Sequence, residues 1–309
     1  MTSKPLSACL TLSAAIAVSG CGQGNSGGSF SRGFAFLRER DVYVDDDSDF
    51  DNSHPLQLTT SGDDQNPSLS KDGRRVVFVH SGQELDVVTA SNAPSPSRLL
   101  VASGGQTNFR TPVFSTDGNT VVFAYDQNSV SHLGRVNANG TGFQPLTTTQ
   151  SYFAGPSFYP DGAAVLAATG PDPSRYNQLV RVNASTGSVS VVASSLGSEA
   201  CSVAHRLVVS PDGNRAAFDA RTFSGGACVG AVRIFVVNLS NGAVNPRLTD
   251  YPGEPNADDG FPTWVGNDQI GFSSNVGGAD EVYVLPASST MSSGGLKIPS
   301  ASEPYYGPN

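Results

Sequence analysis

The sequence predicts an all-β protein whose main part is one six-bladed β-propeller of four-stranded antiparallel blades. Three observations predict it: a recurring motif, Asp-Gly turns between short apolar runs, and two chain ends that each supply part of one blade. The chain has 309 residues, with 34 Gly and 20 Pro, a composition rich in turns. No stretch shows the 3.6-residue apolar period of an amphipathic helix.

The recurring motif is a pair of short strands. The segment Pro67–Phe78 returns almost position by position as Pro112–Phe123, further copies begin at Pro156 and Leu207, and a shortened one begins at Pro262. Each copy has an apolar run, a tight turn and a second run, which is typical of a β-hairpin. The Asp residues of the four Asp-Gly turns lie 45, 44 and 51 residues apart, a spacing that suits a four-stranded propeller blade.

The two ends of the chain predict how the ring closes. Residues 33–59 match only the second, third and fourth strands of a unit, whereas Ser302–Tyr306 resembles the start of an inner strand. The C-terminus would therefore complete blade one, which removes open sheet edges. The other five inner strands are expected around Asn66, Thr111, Gly155, Arg206 and Phe261.

The order Pro, Ser-Pro-Asp-Gly, Phe and Leu-Thr within a unit resembles the TolB-like (WD-like) propeller repeat. The motif Ser210–Gly213 and the pairs Leu58-Thr59, Leu146-Thr147 and Leu248-Thr249 carry the resemblance. It covers residues 33–309 and implies partners in the bacterial cell envelope. It does not by itself define a function, because propellers host many unrelated activities.

The first 20 residues have the layout of a lipoprotein signal peptide. Lys4 precedes the apolar run Leu6–Val18, and Val18–Cys21 resembles a lipobox, so Cys21 is expected to become the lipid-modified, palmitate-bearing first residue of the mature protein. An ordinary secretory signal and a membrane anchor are the alternatives. Residues 21–32 are Gly/Ser-rich and are expected to form a flexible tether, and Gly22 resembles an outer-membrane sorting signal.

Cys201 is expected just before the inner strand of blade five and Cys228 between its second and third strands, on loops that an up-and-down blade places on one face of the ring. A disulfide is expected, since an exported protein meets an oxidising compartment. Two unpaired thiols are the alternative.

Carboxylates and aromatics also precede several inner strands and are expected to line one rim of the channel. A cation, a basic partner or a protein interface would use them, but they could equally be solubilising turn residues and core aromatics. The rim candidates are Asp63, Asp64, Asp258, Asp259, Phe109, Phe153 and Phe261.

The charge balance and the positions of the histidines limit the classes of function that the sequence favours. Lys and Arg number 18 against 27 Asp and Glu, so no basic patch for nucleic acid is expected. The four histidines, His54, His80, His132 and His205, fall in different blades, and no catalytic constellation, metal site or cofactor motif is found.

The sequence therefore favours a non-catalytic scaffold of the envelope that presents propeller loops to a protein or envelope polymer. The alternative is a small-ligand or cation receptor, or a lyase or hydrolase acting in the channel. Such an activity would need a convergent polar cluster on the inner strands, which the sequence does not reveal beyond the rim carboxylates.

Overall fold

The computed structural model describes residues 30–46, 55–148, 151–172, 174–250, 254, 256–288 and 296–308. The first eleven strands are β1 (Gly33–Arg38), β2 (Asp41–Asp46), β3 (Leu56–Gln57), β4 (Asp64–Leu69), β5 (Arg75–His80), β6 (Glu84–Thr89), β7 (Ser97–Val101), β8 (Gln106–Phe114), β9 (Thr120–Gln127), β10 (Val130–Asn137) and β11 (Gln144–Pro145). The others are β12 (Tyr152–Phe158), β13 (Ala164–Gly170), β14 (Gln178–Asn183), β15 (Val189–Ala193), β16 (Ala200–Val209), β17 (Arg215–Thr222), β18 (Val232–Asn238), β19 (Asp259–Val265), β20 (Gln269–Ser274), β21 (Glu281–Pro286), β22 (Leu296–Ile298) and β23 (Ser302–Gly307). Within the described ranges, no helix has the length and apolar character needed to cross a membrane.

The strands form six antiparallel sheets, one for each blade. Blade one has the order β23-β1-β2-β3, and blades two to six begin with the inner strands β4, β8, β12, β16 and β19. The predicted six-bladed propeller is therefore confirmed.

The ring is closed by the C-terminal strand, as the sequence predicted. β23 pairs antiparallel with β1, with Gly33 opposite Gly307 and Phe34 opposite Tyr306. Strands from near the two ends of the chain thus share one sheet, in which β1 is paired on both sides, with β23 and with β2.

Blade five departs from the predicted four strands. Among the described residues its sheet contains β16, β17 and β18, and the fourth strand is represented there by one bridge between Val237 and Val244. The following segment still bonds to β18, because the amide of Asn245 donates to Val236 and that of Leu248 donates to Ile234. Pro246 interrupts this segment, and since proline has no N–H it cannot continue a regular ladder.

The Asp-Gly turns between the first and second strands are built by the residues of the motif. In blade two, Ser70 Oγ donates to Asp72 Oδ1 at 2.6 Å, and the same oxygen accepts from the amide of Arg74 at 3.1 Å. Gly73 has φ +70°, a conformation that glycine adopts without strain. Blades three and five repeat the Ser-Asp contact at Ser115–Asp117 and Ser210–Asp212.

These turns define two faces of the ring. The turn face is where the inner strands end, at the turns around Asp72, Asp117, Asp161 and Asp212. The mouth face is the opposite side, where the inner strands begin and the second strand of each blade passes to the third. The apolar core lies between neighbouring blades, as in the cluster that joins Val77 and Leu85 of blade two to Phe109 and Phe123 of blade three.

Candidate functional site

Two of the four predicted rim carboxylates lie exposed on the mouth face. The Asp63 side chain is 42% exposed and pairs with Arg40, and its Oδ2 accepts from Ser81 Oγ at 2.8 Å. Asp258 is exposed, and its Oδ1 accepts from the amide of Val232 at 2.7 Å. Asp63 therefore joins two neighbouring loops, and Asp258 holds the first residue of β18.

Asp64 and Asp259 are buried, which corrects the expectation that they belong to the exposed rim. Each begins an inner strand with no exposed surface. Asp64 Oδ1 accepts from Ser61 Oγ at 2.8 Å and lies 2.9 Å from His80 Nδ1, while Thr59 Oγ1 donates to its Oδ2 at 2.5 Å. This carboxylate joins the end of blade one to the start of blade two.

The threonine of the Leu-Thr pairs explains this burial. The Oγ1 of Thr59 accepts from the amide of Val42 at 2.8 Å, and Thr147 accepts in the same way from the amide of Leu133 at 2.9 Å. The hydroxyl therefore satisfies the third strand of its blade, and at Thr59 it also donates to the acid that begins the next inner strand.

The hydrogen bonding of the Asp259 carboxylate is less complete than that of Asp64. Neither carboxylate oxygen has a hydrogen-bond partner among the described residues, and the nearest cation, Arg233 Nη1, lies 3.7 Å away. Burial raises the pKa of Asp259 from 3.8 to about 6, and the nearby hydroxyls of Thr249 and Ser274 and the Arg233 charge offset only part of this effect.

Two of the three predicted rim aromatics belong to the core. Phe109 and Phe153 are each 1% exposed, and the ring of Phe109 packs edge-on against Phe123 at 5.1 Å. Phe261 alone remains half-buried at the mouth, where its ring stacks on His205 at 4.6 Å.

A bulge in each inner strand places one residue of every blade around the channel. The ladder between the first and second strands shifts register at this point in all six blades. Proline follows the bulged residue in every blade but the fifth, and because proline has no N–H it leaves no unpaired donor there. We call the six residues the axial ring: Glu303, Asn66, Thr111, Gly155, Arg206 and Phe261.

Blade five lacks this proline, since Leu207 stands in its place. The amides of His205 and Arg206 both donate to Asp219 Oδ1, at 2.8 and 2.9 Å. The other carboxylate oxygen accepts from the amide of Phe261 at 2.8 Å and lies 2.9 Å from His205 Nδ1. Asp219, which is fully buried, thus joins blades five and six at the mouth.

Arg206 crosses the channel. Its Nη1 donates to the carbonyl of Pro304 in blade one at 2.6 Å, and its Nη2 lies 3.4 Å from the carbonyl of Pro67 in blade two, on the opposite side of the ring. The guanidinium carbon lies 5.5 and 5.6 Å from the ring centroids of Phe261 and Tyr305. Since Arg206 is only 4% exposed, its side chain divides the channel into a mouth side and a turn side.

Three other ring residues form a chain of hydrogen bonds. Glu303 Oε2 accepts from the amide and the Nδ2 of Asn66 at 2.5 and 2.9 Å. Asn66 Oδ1 in turn accepts from the amide of Thr111 at 3.0 Å. Three neighbouring blades are therefore connected through side chains at the channel.

The mouth holds four charged or titratable groups close together. Burial lowers the pKa of His205, but the charge and hydrogen bond of Asp219 outweigh it and raise the pKa above its ordinary value. Burial would raise the pKa of Asp219, but His205 and the amide donors keep it below its ordinary value. Burial raises the pKa of Glu303, and the charge of Arg206 opposes this shift.

Chemically, His205 is an imidazole oriented by a carboxylate, which is half of an acid–base arrangement. Within the described part of the chain, no hydroxyl or thiol is hydrogen-bonded to it. The same residues contain no group of three or more metal-ligating side chains.

A loop of blade five adds an apolar feature to the mouth face. We call residues 223–231, between β17 and β18, the stapled loop, because Cys228 forms a disulfide with Cys201 at a Cα–Cα distance of 5.7 Å. Phe223 and Val229 in this loop are 48% and 68% exposed.

On the turn side of Arg206, the channel opens into a cavity of about 110 Å³. All six blades contribute to its wall, which includes the aromatic rings of Phe114, Phe158 and Tyr305.

The sequence pattern indicates the ring positions on the inner strands. It does not reveal the polar cluster that these residues form with His205 and Asp219. The signal for blade five was present, because Arg206-Leu207 breaks a pattern in which proline follows the ring residue. The proposed lipidation site, Cys21, lies outside the described residues.

Comparison with known proteins identifies the repeat. The family model described as Gmad1, the lipoprotein LpqB β-propeller domain, matches residues 97–302. The chain belongs to this family. The LpqB propeller family and the structural likenesses below support the TolB-like architecture that the repeat predicted, while a comparison with curated proteins gave no match.

Three solved structures resemble this LpqB-family propeller. TolB from Acinetobacter baumannii has a TM-score of 0.63 at 16% identity, covering 90% of this chain and 67% of that one. A structure described as TolB from Agrobacterium tumefaciens has a TM-score of 0.60 at 17% identity, covering 84% and 86%. A chain of a nidogen/laminin complex reaches 0.64 at 10% identity, covering 89% and 98%. At these identities the likenesses show the fold.

Proposed function

We propose that the protein is a lipid-anchored module of the bacterial envelope that binds a protein partner through its mouth face and performs no catalysis. The lipoprotein family of the propeller and the lipobox ending in Cys21 support the anchor. Gly22 favours an outer-membrane location.

The position of β1 indicates how the propeller would be oriented relative to the membrane. β1 is the second strand of blade one and therefore begins at the turn face. Ser31 lies beside the Asp-Gly turn of blade two, because a Cβ built on Gly73 would come within 2.8 Å of the Ser31 carbonyl. Nine residues of the expected tether, 21–29, precede the described part of the chain, and a flexible Gly/Ser-rich chain of this length spans about 17 Å on average. A tether that starts at Cys21 would hold the turn face near the bilayer and direct the mouth face away from it.

The single observation that carries the proposal is the stapled loop on that outward face. Phe223 and Val229 expose apolar surface on a short segment that the disulfide holds in place. A constrained loop loses little conformational entropy when a partner covers it, and exposed aromatic groups of this kind are enriched in the cores of protein interfaces. The exposed carboxylates of Asp63 and Asp258 on the same face favour a partner with basic groups at its rim.

The experiment compares partner capture by loop variants and by a matched control. Phe223→Ser and Val229→Ser remove apolar surface from the stapled loop, whereas Val191→Ser removes a side chain that is 62% exposed on β15, away from the mouth. In-cell cross-linking followed by mass spectrometry should show one recurrent envelope partner. We expect its yield to fall at least fivefold in both loop variants and to stay unchanged in the control.

Two results would contradict the proposal. One is the absence of a recurrent partner in the wild type, and the other is equal loss of cross-linking in all three variants. The Cys21→Ser variant tests membrane attachment independently of partner binding. It should be absent from the membrane fraction, whereas the purified variant should still capture the partner.

A further inference from the structure

The axial ring has six chemically different side chains at equivalent backbone positions of the six blades. An acid, an amide, a hydroxyl, a glycine, a guanidinium and an aromatic ring surround the channel in consecutive blades. Five of the six have positive φ, between 45° and 58°, and only one of these five is glycine. For Thr111, whose side chain is β-branched, this conformation is strained, and such strain is concentrated at functional sites.

Several polar atoms at this mouth are not used by the fold. Glu303 Oε2 accepts from Asn66, whereas Oε1 has no hydrogen bond among the described residues. His205 binds Asp219 through Nδ1 and leaves Nε2 available on a side chain that is 43% exposed. Thr111 Oγ1 is buried without a hydrogen-bond partner in the part of the chain that the structure describes, on a residue only 5% exposed. Burying a hydroxyl unpaired costs about 1–3 kcal/mol, which a ligand that bonds to it would recover.

The ring also has a floor. Arg206 closes the channel beneath the mouth, so a ligand that enters cannot pass through. Gly155 lets blades four and five approach each other closely at the ring, since a Cβ at that position would lie 3.3 Å from the amide nitrogen of Leu207.

Apart from the exposed carboxylates of Asp63 and Asp258 farther out on the mouth face, the charges of the axial ring and of the His205–Asp219 pair compensate one another. Arg206 is a permanent cation, and Asp219 raises the pKa of His205, which favours the protonated imidazole. The carboxylates of Asp219 and Glu303 supply the negative charge that balances these two groups. An ionic ligand would therefore meet no net opposite charge, whereas a neutral ligand with several hydroxyl groups would find both donors and acceptors.

The geometry points to a second binding site at the axial ring, for an uncharged, hydroxyl-rich small molecule such as a neutral saccharide unit. Glu303 Oε1 accepts from one ligand hydroxyl, His205 Nε2 bonds to another, and Thr111 Oγ1 completes its hydrogen bonding with a third. This site is independent of the protein partner proposed for the stapled loop.

The test is calorimetry with the full chain in a detergent that has no sugar headgroup. The probes are a neutral hexose, a neutral N-acetylhexosamine, a hexuronate as the anionic match and a hexosamine as the cationic match. Thr111→Val removes only the hydroxyl, Glu303→Gln retains its shape, and Thr107→Val is the control, since Thr107 is an exposed residue of the same strand.

We expect saturable binding of a neutral sugar that weakens about fivefold in Thr111→Val and in Glu303→Gln, the loss of about one hydrogen bond, and no change in Thr107→Val. Circular dichroism of each variant confirms that it is folded. Flat titrations with both neutral sugars, tighter binding of either charged sugar, or equal binding by Thr111→Val and wild type would each overturn the proposal. Partner cross-linking through the stapled loop is unaffected by any of these outcomes.

Discussion

Asp219 is the residue on which the mouth depends most. It serves three backbone amides and one imidazole from two blades with a single buried carboxylate. The sequence could not indicate this, because Asp219 lies in the second strand of blade five and reaches its partners only through the bulge of the first strand. Asp64 and Asp259 were misplaced for the same reason: an aspartate before a strand is typical of a turn, and only the register shows that it faces inward.

Replacing Asp219 should therefore destabilise the protein without changing its fold. Asp219→Asn keeps the shape, but the amide offers a donor to groups that are themselves donors. We expect a loss of about 2–4 kcal/mol in the free energy of unfolding, measured by urea denaturation. Asp268→Asn, at a side chain 96% exposed, should change the stability by less than about 0.5 kcal/mol; equal effects of the two substitutions would show that Asp219 does not hold the mouth together.

Asp259 predicts how stability changes with pH. Its pKa is about 6 in the folded protein against an ordinary value of 3.8, so between these values the folded state binds more protons than the unfolded state. Stability contributed by this group is therefore greatest below pH 4 and falls as the pH rises to about 6, by up to about 3 kcal/mol.

The measurement is the urea midpoint across this pH range. The part of the slope due to this group should be absent in Asp259→Asn and present in Asp258→Asn, whose side chain is exposed. Parallel pH profiles for the wild type and Asp259→Asn would contradict the assignment.

At the scale of the element, the turns between blades explain how the repeat packs. The sequence predicted the Asp-Gly hairpins because their chemistry is local. It did not indicate a second set of turns, in which Gly140, Gly187 and Gly242 lie against the outer segment of the preceding blade. A Cβ on these glycines would come within 2.7, 2.0 and 2.3 Å of the carbonyl oxygens of Leu99, Leu146 and Val192, respectively.

Gly187→Ala should thus lower the stability of the fold by more than the backbone strain of a positive φ alone would. The matched control is Gly82→Ala, because the two glycines have φ +71° and +70°, and a Cβ on Gly82 would meet nothing within 4 Å. The control should lose about 1 kcal/mol, and Gly187→Ala about 2–4 kcal/mol, since backbone must move. Thermal unfolding compares them, and equal losses would refute the inter-blade contact.

At the scale of the whole molecule, the closed ring was predictable and the channel was not. The repeat spacing and the split blade indicate six blades because they follow from the order of strands along the chain. The crossing of Arg206 to blades one and two joins residues 98 and 139 positions apart. Nothing in the local pattern of Arg206 encodes that distance.

Closure by β23 predicts the effect of a terminal truncation. Deleting residues 302–309 removes the partner of β1 and the carbonyl that receives Arg206. We expect loss of the single cooperative thermal transition, whereas deleting residues 22–29 of the tether should leave the transition unchanged. A truncated protein that unfolds like the wild type would mean that the ring does not depend on β23.

The central claim is that an anchored propeller turns its mouth face toward a partner and its turn face toward the membrane. Site-specific photo-cross-linking in cells tests it most directly, with the photoreactive residue placed at Phe223 on the mouth face or at Asn119 on the turn face. We expect one recurrent protein adduct from position 223 and lipid adducts, without that protein, from position 119. The same protein adduct from position 119, or lipid adducts from position 223 alone, would contradict it.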